Sequence, residues 1–229
     1  MTSEQQISAM RYPDAPQTLV FFGHHKCASR LFRGEVFKVV AEATGAHIHQ
    51  YEIKSPPFHY SRGDELDLCN MDFDLIGRDG RDVVLFSNAS ERTLKRLNRA
   101  TKDWRGIRII RDPRQVFISN YFHHKGDHRT EHNGWVYDQL KHDQPLLREL
   151  PEEEGLLHEL DHISKDVIET QILAPFQDER VLTIKLEDFG MNEKAWLKQI
   201  SEFLGVADIA GVDLSRTFAN PDSSPWQQH

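Results

Sequence analysis

Cysteine is scarce in this sequence, and long apolar runs are missing. Cys27 and Cys69 are the only cysteines among 229 residues, too few for a disulfide framework or a zinc cluster. No run approaches the length that spans a bilayer, and the polar segment 1–17 lacks the apolar core of a signal peptide. These absences favour a cytoplasmic protein without a membrane partner. Because no nucleophile motif surrounds Cys27, we expect it to be a small loop residue.

Excess positive charge is also missing. The formal net charge is −8, which excludes the broad basic surface of a general nucleic-acid binder. A polyanion site must therefore be local. The hydrophobic fraction of 38% and the charged fraction of 28% are typical of a soluble globular protein. We expect one domain over residues 1–229, with a polar amino-terminal segment 1–17 and a polar tail 219–229.

Apolar runs of strand length alternate with stretches of helical periodicity. Strands are predicted at Thr18–Phe22, 46–53, Asp82–Ser87, 107–111 and 180–186. Helices are predicted from 28 to Gly45, from a cap at Asn88 to 100, from Asp112 to Gly126, over 152–174 and over 192–204. Such alternation requires crossover connections. It predicts an α/β fold with a central parallel sheet of about five strands and helices on both faces.

The junction after the first strand suits an anion. It reads Gly23-His24-His25-Lys26-Cys27-Ala28-Ser29-Arg30. A strand, a tight loop and a helix in this order direct unpaired N–H groups and the positive helix end into the loop. Lys26 and Arg30 add charge, and Ser29 adds a hydroxyl donor. We predict a phosphate site here; the alternative is an ordinary turn with solvated cations. The glycine and hydroxyl spacing of an ATP or GTP loop is absent.

A second anion site is predicted where the fourth strand ends. Arg111 ends that strand, and Asp112 with Pro113 forms an N-cap and first turn. Ser119 lies seven residues after Asp112, nearly two turns, so the two residues share a helix face. Arg111 and Ser119 together suit a second anion. The alternative is an Arg111–carboxylate pair with Ser119 as a packing residue.

Four side chains, of Lys26, His49, Ser87 and Arg111, follow predicted strand ends. Ligands of open parallel sheets bind beyond the carboxyl ends of the strands. We therefore expect these four residues to face one crevice.

Histidines cluster at 123–132, at and beyond the end of the predicted helix that begins at Asp112. Their spacing does not fit a His-x-x-x-His pair backed by a glutamate, and no other ligand set is evident. We therefore predict no metal, and we interpret the cluster as a polar loop.

The stretches that form the two predicted anion sites together resemble the two signatures of the PAPS-dependent sulfotransferases. The resemblance is to a bacterial-type member of that family. The Lys26-x-x-Ser29-Arg30 form is most like the phosphate loop of the heparan and carbohydrate branches, and Arg111-Asp-Pro-Arg with Ser119 is similar to the second signature. Residues 184–189 resemble a third segment, although Leu186 replaces the tyrosine that stacks on adenine. The basic loop that closes over the 3′-phosphate has no match in 219–229. The ordered match spans roughly 18–205, and the fold it implies is P-loop-like.

The resemblance implies in-line transfer of a sulfuryl group from PAPS to a hydroxyl or amine of a small-molecule or glycan acceptor. PAP is then the product, and no metal is required. Lys26 would act at the bridging oxygen, where charge grows in the transition state. The implied nucleotide site consists of Gly23, His25, Lys26, Cys27, Ala28, Ser29, Arg30, Arg111 and Ser119. Neither the acceptor nor the oligomeric state is readable from the sequence.

The proton acceptor is less clearly indicated. Ser87 stands where the cytosolic branch has its catalytic histidine, and a serine is no base near neutral pH. His47 and His49 lie on one face of the second predicted strand, close to Glu52, and a neutral imidazole suits removal of a hydroxyl proton. His25 is the next candidate.

Two other functions remain open. A P-loop nucleotide or small-molecule kinase would share the sheet but needs Mg²⁺ ligands and a better phosphate loop. A noncatalytic nucleotide-binding relative is favoured by the missing cytosolic-type histidine. If the chain is a sulfotransferase, we expect loops at 58–82 and 123–150 to form the acceptor wall.

Overall fold

The computed structural model describes residues 14–52, 76, 80–126, 130, 135–173 and 176–211. Its strands are β1 Thr18–Phe22, β2 His47–Glu52, β3 Asp82–Ser87, β4 Trp104–Ile110 and β5 Val181–Lys185. They form one sheet in the order β2-β3-β1-β4-β5. Every pairing is parallel, which confirms the predicted five-stranded parallel sheet.

Seven helices connect the described parts of the sheet or pack against it. α1 joins the segments Ser29–Leu31, Phe32–Val36 and Phe37–Thr44, of which the middle one is a π-helical turn. α2 is Glu91–Ala100, α3 is Pro113–Lys125 and α4 is Trp135–Glu149. α5 joins Glu152–Glu159, Leu160–Ser164, Lys165–Val167 and Ile168–Ile172. α6 is Leu186–Met191 and α7 is Glu193–Leu204.

Apolar side chains cover both faces of the sheet. Successive strand residues point to opposite faces, so Leu19 and Phe21 join the core that α1, α3 and α7 help to build. Val20 and Phe22 join a second core, which contains buried side chains of α2. Burial on both sides explains why β1 is apolar from Leu19 to Phe22 rather than alternating. The fold is therefore the predicted P-loop-like three-layer α/β arrangement.

The strand order opens a crevice at the carboxyl end of β1. The chain passes from β1 to β2 and β3 on one side, and then crosses β1 to reach β4 on its other side. Such a reversal leaves the loops at adjacent strand ends diverging, and ligands of open α/β sheets bind there. The loop after Phe22 and the residues after Ile110 border this position.

Two local predictions were wrong. Ser90, rather than Asn88, caps α2 by a capping box with Thr93, because Asn88 takes a left-handed φ of 57°. Much of the loop predicted at 123–150 is the helix α4. Its buried side chains Val136, Leu140 and Leu147 have helical spacing, but charged residues between them obscure the pattern.

Several predictions fall on residues outside the described ranges. They concern most of the expected acceptor loop at 58–82, the amino-terminal residues 1–13, and the tail 219–229. Among the helices that are described, none combines the length and apolarity that a membrane span requires.

Candidate functional site

The loop after β1 is joined to β3 by its first residue. The Gly23 N–H donates to the Phe86 carbonyl at 2.9 Å, and the Gly23 carbonyl accepts from the Ala89 N–H at 2.9 Å. A Cβ at position 23 would lie 2.5 Å from the Phe86 carbonyl oxygen. The glycine is therefore required by close backbone approach. The left-handed residues of the loop are Lys26 and Ala28, at φ 58° and 54°.

Hydrogen bonds within the loop and from α1 hold its shape. The Ser29 hydroxyl donates to the His24 carbonyl at 2.7 Å, and the Cys27 N–H donates to the same oxygen at 3.3 Å. Arg33 of α1 donates from Nη1 to the Ser87 hydroxyl at 2.7 Å, which fixes α1 against the carboxyl end of β3. For Ser29 to donate to a phosphate, it would have to exchange its present bond.

The inner side of the loop is a structural anchor. His24 Nε2 accepts from Arg108 Nε at 3.0 Å, and burial, aided by the Arg108 charge, holds the His24 pKa well below its usual value. Arg108 also donates to the Ile172 carbonyl at 3.0 Å and lies over the Phe176 ring. Burial raises the pKa of the Cys27 thiol to about 12, so Cys27 is a packed loop residue rather than a nucleophile.

Lys26 and Arg111 meet at the carboxyl ends of β1 and β4. Arg111 Nη1 lies 3.5 Å from the Lys26 carbonyl oxygen. Burial, followed by the charges of Arg30 and Arg111, lowers the Lys26 pKa to about 7, and Glu159 partly offsets this. Arg111 is only 7% exposed, and its Nε and Nη2 donate to Gln115 Oε1 at 3.3 and 3.1 Å.

Neither of these cations has a carboxylate partner among the residues that the structure describes. Within that part of the chain, Arg111 therefore does not form the salt bridge to a carboxylate that was the alternative to an anion site. A charge withdrawn from water without a counter-ion is costly. A bound anion would relieve that cost for both residues.

The helix that follows Arg111 begins as predicted. Asp112 is the N-cap of α3 and accepts from the Arg114 N–H at 2.9 Å, and Pro113 takes the first helical position. Ser119 is half-buried two turns further along this helix, and Arg30 is exposed at the start of α1.

The expectation that His49 faces the crevice was wrong. His49 lies within β2, and its Nε2 contacts Asp82 Oδ1 at 2.9 Å. Asp82 begins β3 and pairs with both His47 and Thr18, the first residues of their strands. The Asp82 carboxylate thus draws His49 toward the amino end of the sheet. His47 begins its strand at that same end, whereas Lys26 follows the carboxyl end of β1.

A buried histidine–carboxylate pair lies beside the loop. The His25 ring stacks on His124, with ring centroids 5.6 Å apart. His124 Nδ1 lies 3.0 Å from Glu159 Oε2. Burial, followed by the Lys26 charge, lowers the His124 pKa to about 3, while burial raises the Glu159 pKa to about 7. His124 is therefore neutral, and we assign its Nδ1 proton as donated to Glu159.

Further hydrogen bonds fix this pair between α3 and α5. Asn120 Nδ2 donates to the Ser164 hydroxyl at 2.9 Å, and that hydroxyl donates to Glu159 Oε1 at 2.7 Å. The prediction of a polar loop at 123–132 overlooked His124. The available signal was spacing, because Val116, Asn120 and His124 form one i, i+4 row on the buried face of α3.

Sequence reasoning also overlooked a cluster of three residues on α4 and α5 whose side chains are of the metal-binding type. Asp143, His158 and His162 each bring one ligand atom within 4.8 Å of the others. The signal in the sequence is His158-Glu-Leu-Asp-His162, a His-Glu-x-x-His pattern.

No protein-family model matches the chain, and no curated protein is significantly similar to it. Among solved structures, mouse sulfotransferase SULT7A1 complexed with PAP is similar at a TM-score of 0.46 and 16% identity, over 97% of this chain and 73% of that chain. A sulfotransferase from Alicyclobacillus acidocaldarius is similar at a TM-score of 0.46 and 18% identity, over 87% of this chain and 85% of that chain. What this chain does is therefore inferred from its own site.

Proposed function

We propose that this chain is a PAPS-dependent sulfotransferase, which moves a sulfuryl group from PAPS to a hydroxyl or amine of a small-molecule or glycan acceptor. The observation that supports this proposal is the meeting of Lys26 and Arg111 at the central strand ends. Arg111 is buried and Lys26 is half-buried, and neither has a carboxylate partner within the described ranges. A ligand with phosphates at two positions would supply both with counter-ions.

Each cation has a distinct role in the proposed reaction. Lys26 stabilises the charge that develops on the bridging oxygen as the sulfuryl group leaves PAPS. Arg111 and Ser119 bind the 3′-phosphate. The 5′-phosphate is held by Ser29, Arg30 and the loop backbone from Gly23 through His25, Cys27 and Ala28. This mechanism uses no metal.

We assign the proton acceptor to His25. It lies beside Lys26 in the loop, whereas His49 lies against Asp82 at the other end of the strands. The neutral His124 stacks on His25 and is itself hydrogen-bonded to Glu159. His124 and Glu159 are therefore positioning residues, which hold the His25 ring in one orientation.

His25→Ala is expected to lower kcat about 10²- to 10⁴-fold, the usual contribution of a general base. His49→Ala is the matched control and should turn over at nearly the wild-type rate. The measurement is steady-state transfer of labelled sulfate from PAPS, together with the dissociation constant for PAP. An unchanged kcat in the His25 variant contradicts the assignment, as does a defect confined to PAP binding.

The function itself is tested by ligand-induced thermal shifts and by labelling. PAP is expected to raise the melting temperature, since a ligand at 100 times its Kd adds about 2.7 kcal/mol to the unfolding free energy. Labelled PAPS should then transfer sulfate to a component of a fractionated metabolite extract. A shift with ATP and Mg²⁺ but not with PAP would indicate a kinase instead. PAP binding without transfer to any fraction would indicate a noncatalytic relative.

A further inference from the structure

Asp143 of α4 faces two histidines of α5. His158 Nε2 lies 3.3 Å from Asp143 Oδ1, and His162 Nδ1 lies 3.3 Å from Asp143 Oδ2. The two imidazole ring centroids are 3.8 Å apart. The three residues are well separated in sequence from the Lys26 loop, and the proposed sulfuryl transfer uses none of them.

One of these imidazole nitrogens lacks a hydrogen bond. His158 Nε2 is buried, and no partner for it with hydrogen-bond geometry occurs among the described residues. Its 3.3 Å contact with Asp143 Oδ1 therefore places the imidazole next to the carboxylate but does not give the nitrogen a hydrogen bond. Buried polar atoms are seldom left in this state. A cation between the imidazole and the carboxylate would use the nitrogen lone pair.

The spacing and the surrounding contacts fit a transition metal. Tetrahedral zinc binds His nitrogen at about 2.0–2.1 Å and carboxylate oxygen at about 2.0–2.2 Å, so neighbouring ligand atoms lie roughly 3.3–3.5 Å apart. Each of the two nitrogens lies 3.3 Å from one oxygen of Asp143, and the ligand atoms of the three residues lie within 4.8 Å of one another. Gln139 donates from Nε2 to both Asp143 oxygens, at 3.1 and 3.0 Å. Such outer contacts typically orient a metal-binding carboxylate.

We propose that Asp143, His158 and His162 bind a divalent cation of the zinc class, which joins α4 to α5. The His162 side chain is 37% exposed, so the cation reaches the site from solvent and a water completes its coordination. Within the His-Glu-x-x-His pattern, Glu159 is bonded to His124 and Ser164. It is not the free base that a metallopeptidase needs, and the cation therefore stabilises structure.

The experiment uses the full chain without a histidine tag, stripped of metal by a chelator. Zn²⁺ titrated in a calorimeter is expected to bind with one equivalent and to raise the melting temperature. Co²⁺ is expected to give the visible absorption of a four-coordinate site. His158→Ala and His162→Ala should each weaken Zn²⁺ binding at least tenfold. His142→Ala, an exposed neighbour of Asp143 on the same helix, should bind as the wild type does.

Gln139→Ala provides a variant that keeps all three ligands. It is expected to weaken Zn²⁺ binding about tenfold while the metal-free melting temperature stays near the wild-type value. The proposal is overturned if the wild type shows no stoichiometric binding, or if His158→Ala and His162→Ala bind Zn²⁺ like the wild type. Equal losses in His142→Ala and in the ligand variants would overturn it too, because the binding would then be unspecific.

Discussion

Replacing Lys26 with methionine is expected to slow sulfuryl transfer by at least two orders of magnitude while making the fold more stable. Under the proposed mechanism the ammonium group interacts most strongly with charge that exists only in the transition state, so its loss should lower kcat by about 10²- to 10³-fold or more. Methionine is an unbranched side chain one atom shorter than lysine, and it removes the charge. The rate is measured as transfer of labelled sulfate at saturating PAPS.

The gain in stability follows from the depressed pKa of Lys26. That pKa is about 7 in the folded chain, against roughly 10.4 in an unfolded one. The unfolded chain therefore binds more protons between these pH values, and the penalty for burying the charge is complete below pH 7 and fades as the pH rises toward 10.4. At pH 7 the Lys26→Met variant should therefore be more stable, by up to about 4 kcal/mol.

Urea unfolding at pH 6 and pH 9 tests this stability difference. The variant should exceed the wild type by more at pH 6 than at pH 9, because groups other than Lys26 titrate in both proteins and cancel in the comparison. Lys38→Met, at an exposed position of α1, is the control and should change neither stability nor turnover appreciably. A Lys26 variant that still turns over, or that is less stable at every pH, contradicts the role assigned to this residue.

Replacing Arg111 with alanine is expected to weaken PAP binding about 100-fold. Charge-assisted hydrogen bonds contribute about 1.5–3 kcal/mol each, and a guanidinium that grips a phosphate forms up to two. The loss should be specific to the 3′-phosphate. The sharpest measurement is the ratio of the Kd values for AMP and PAP, which differ by that phosphate, and this ratio should collapse in the variant.

Arg114→Ala is the matched control for Arg111. Arg114 lies three residues after Arg111, is exposed and is ion-paired with Asp112. Its loss should leave the ratio of the Kd values for AMP and PAP unchanged. If Arg111→Ala weakens AMP and PAP equally, the guanidinium supports the loop through the Lys26 carbonyl rather than binding a 3′-phosphate. The assignment of two phosphate positions would then fail.

The sheet was predictable because the residue types in its strands indicate which faces of each strand are buried. β1 is apolar from Leu19 to Phe22 because helices cover both faces of the sheet, and a continuous apolar run that ends at a glycine is visible in any sequence. Lys26 and Arg111 were predictable for a related reason. Each follows the end of a strand, and all parallel strands in this sheet end at one edge. The proximity of Lys26 and Arg111 therefore follows from the topology.

The direction of a strand side chain was not predictable in the same way. Alternation correctly places His47 and His49 on one face of β2, but it does not say toward which end of the strand a long side chain leans. That choice depends on Asp82, which is distant in sequence and becomes a neighbour only through the pairing of β2 with β3. The second strand also extends to Glu52, so His49 is not at its end.

The side-chain clusters between α3, α4 and α5 were missed because their members are distant in sequence and meet only in the tertiary structure. His124 meets Glu159, and Asp143 meets His158, only when three helices pack together. Polar residues on the inner face of a helix also weaken the apolar period by which that helix is recognised. Such residues interrupt α4 in the region that was interpreted as a loop.

The position of β1 in the sheet also constrains how the chain is made. This strand is the first described one to leave the ribosome, yet both of its neighbours, β3 and β4, are synthesised later. Until residue 110 has emerged, one side of this largely apolar strand has unpaired backbone N–H and C=O groups that another chain can pair with. The nascent protein therefore passes through a period of exposure to misassociation that ends only when β4 docks, and the same event brings the strand that precedes Arg111 beside the strand that precedes the Lys26 loop.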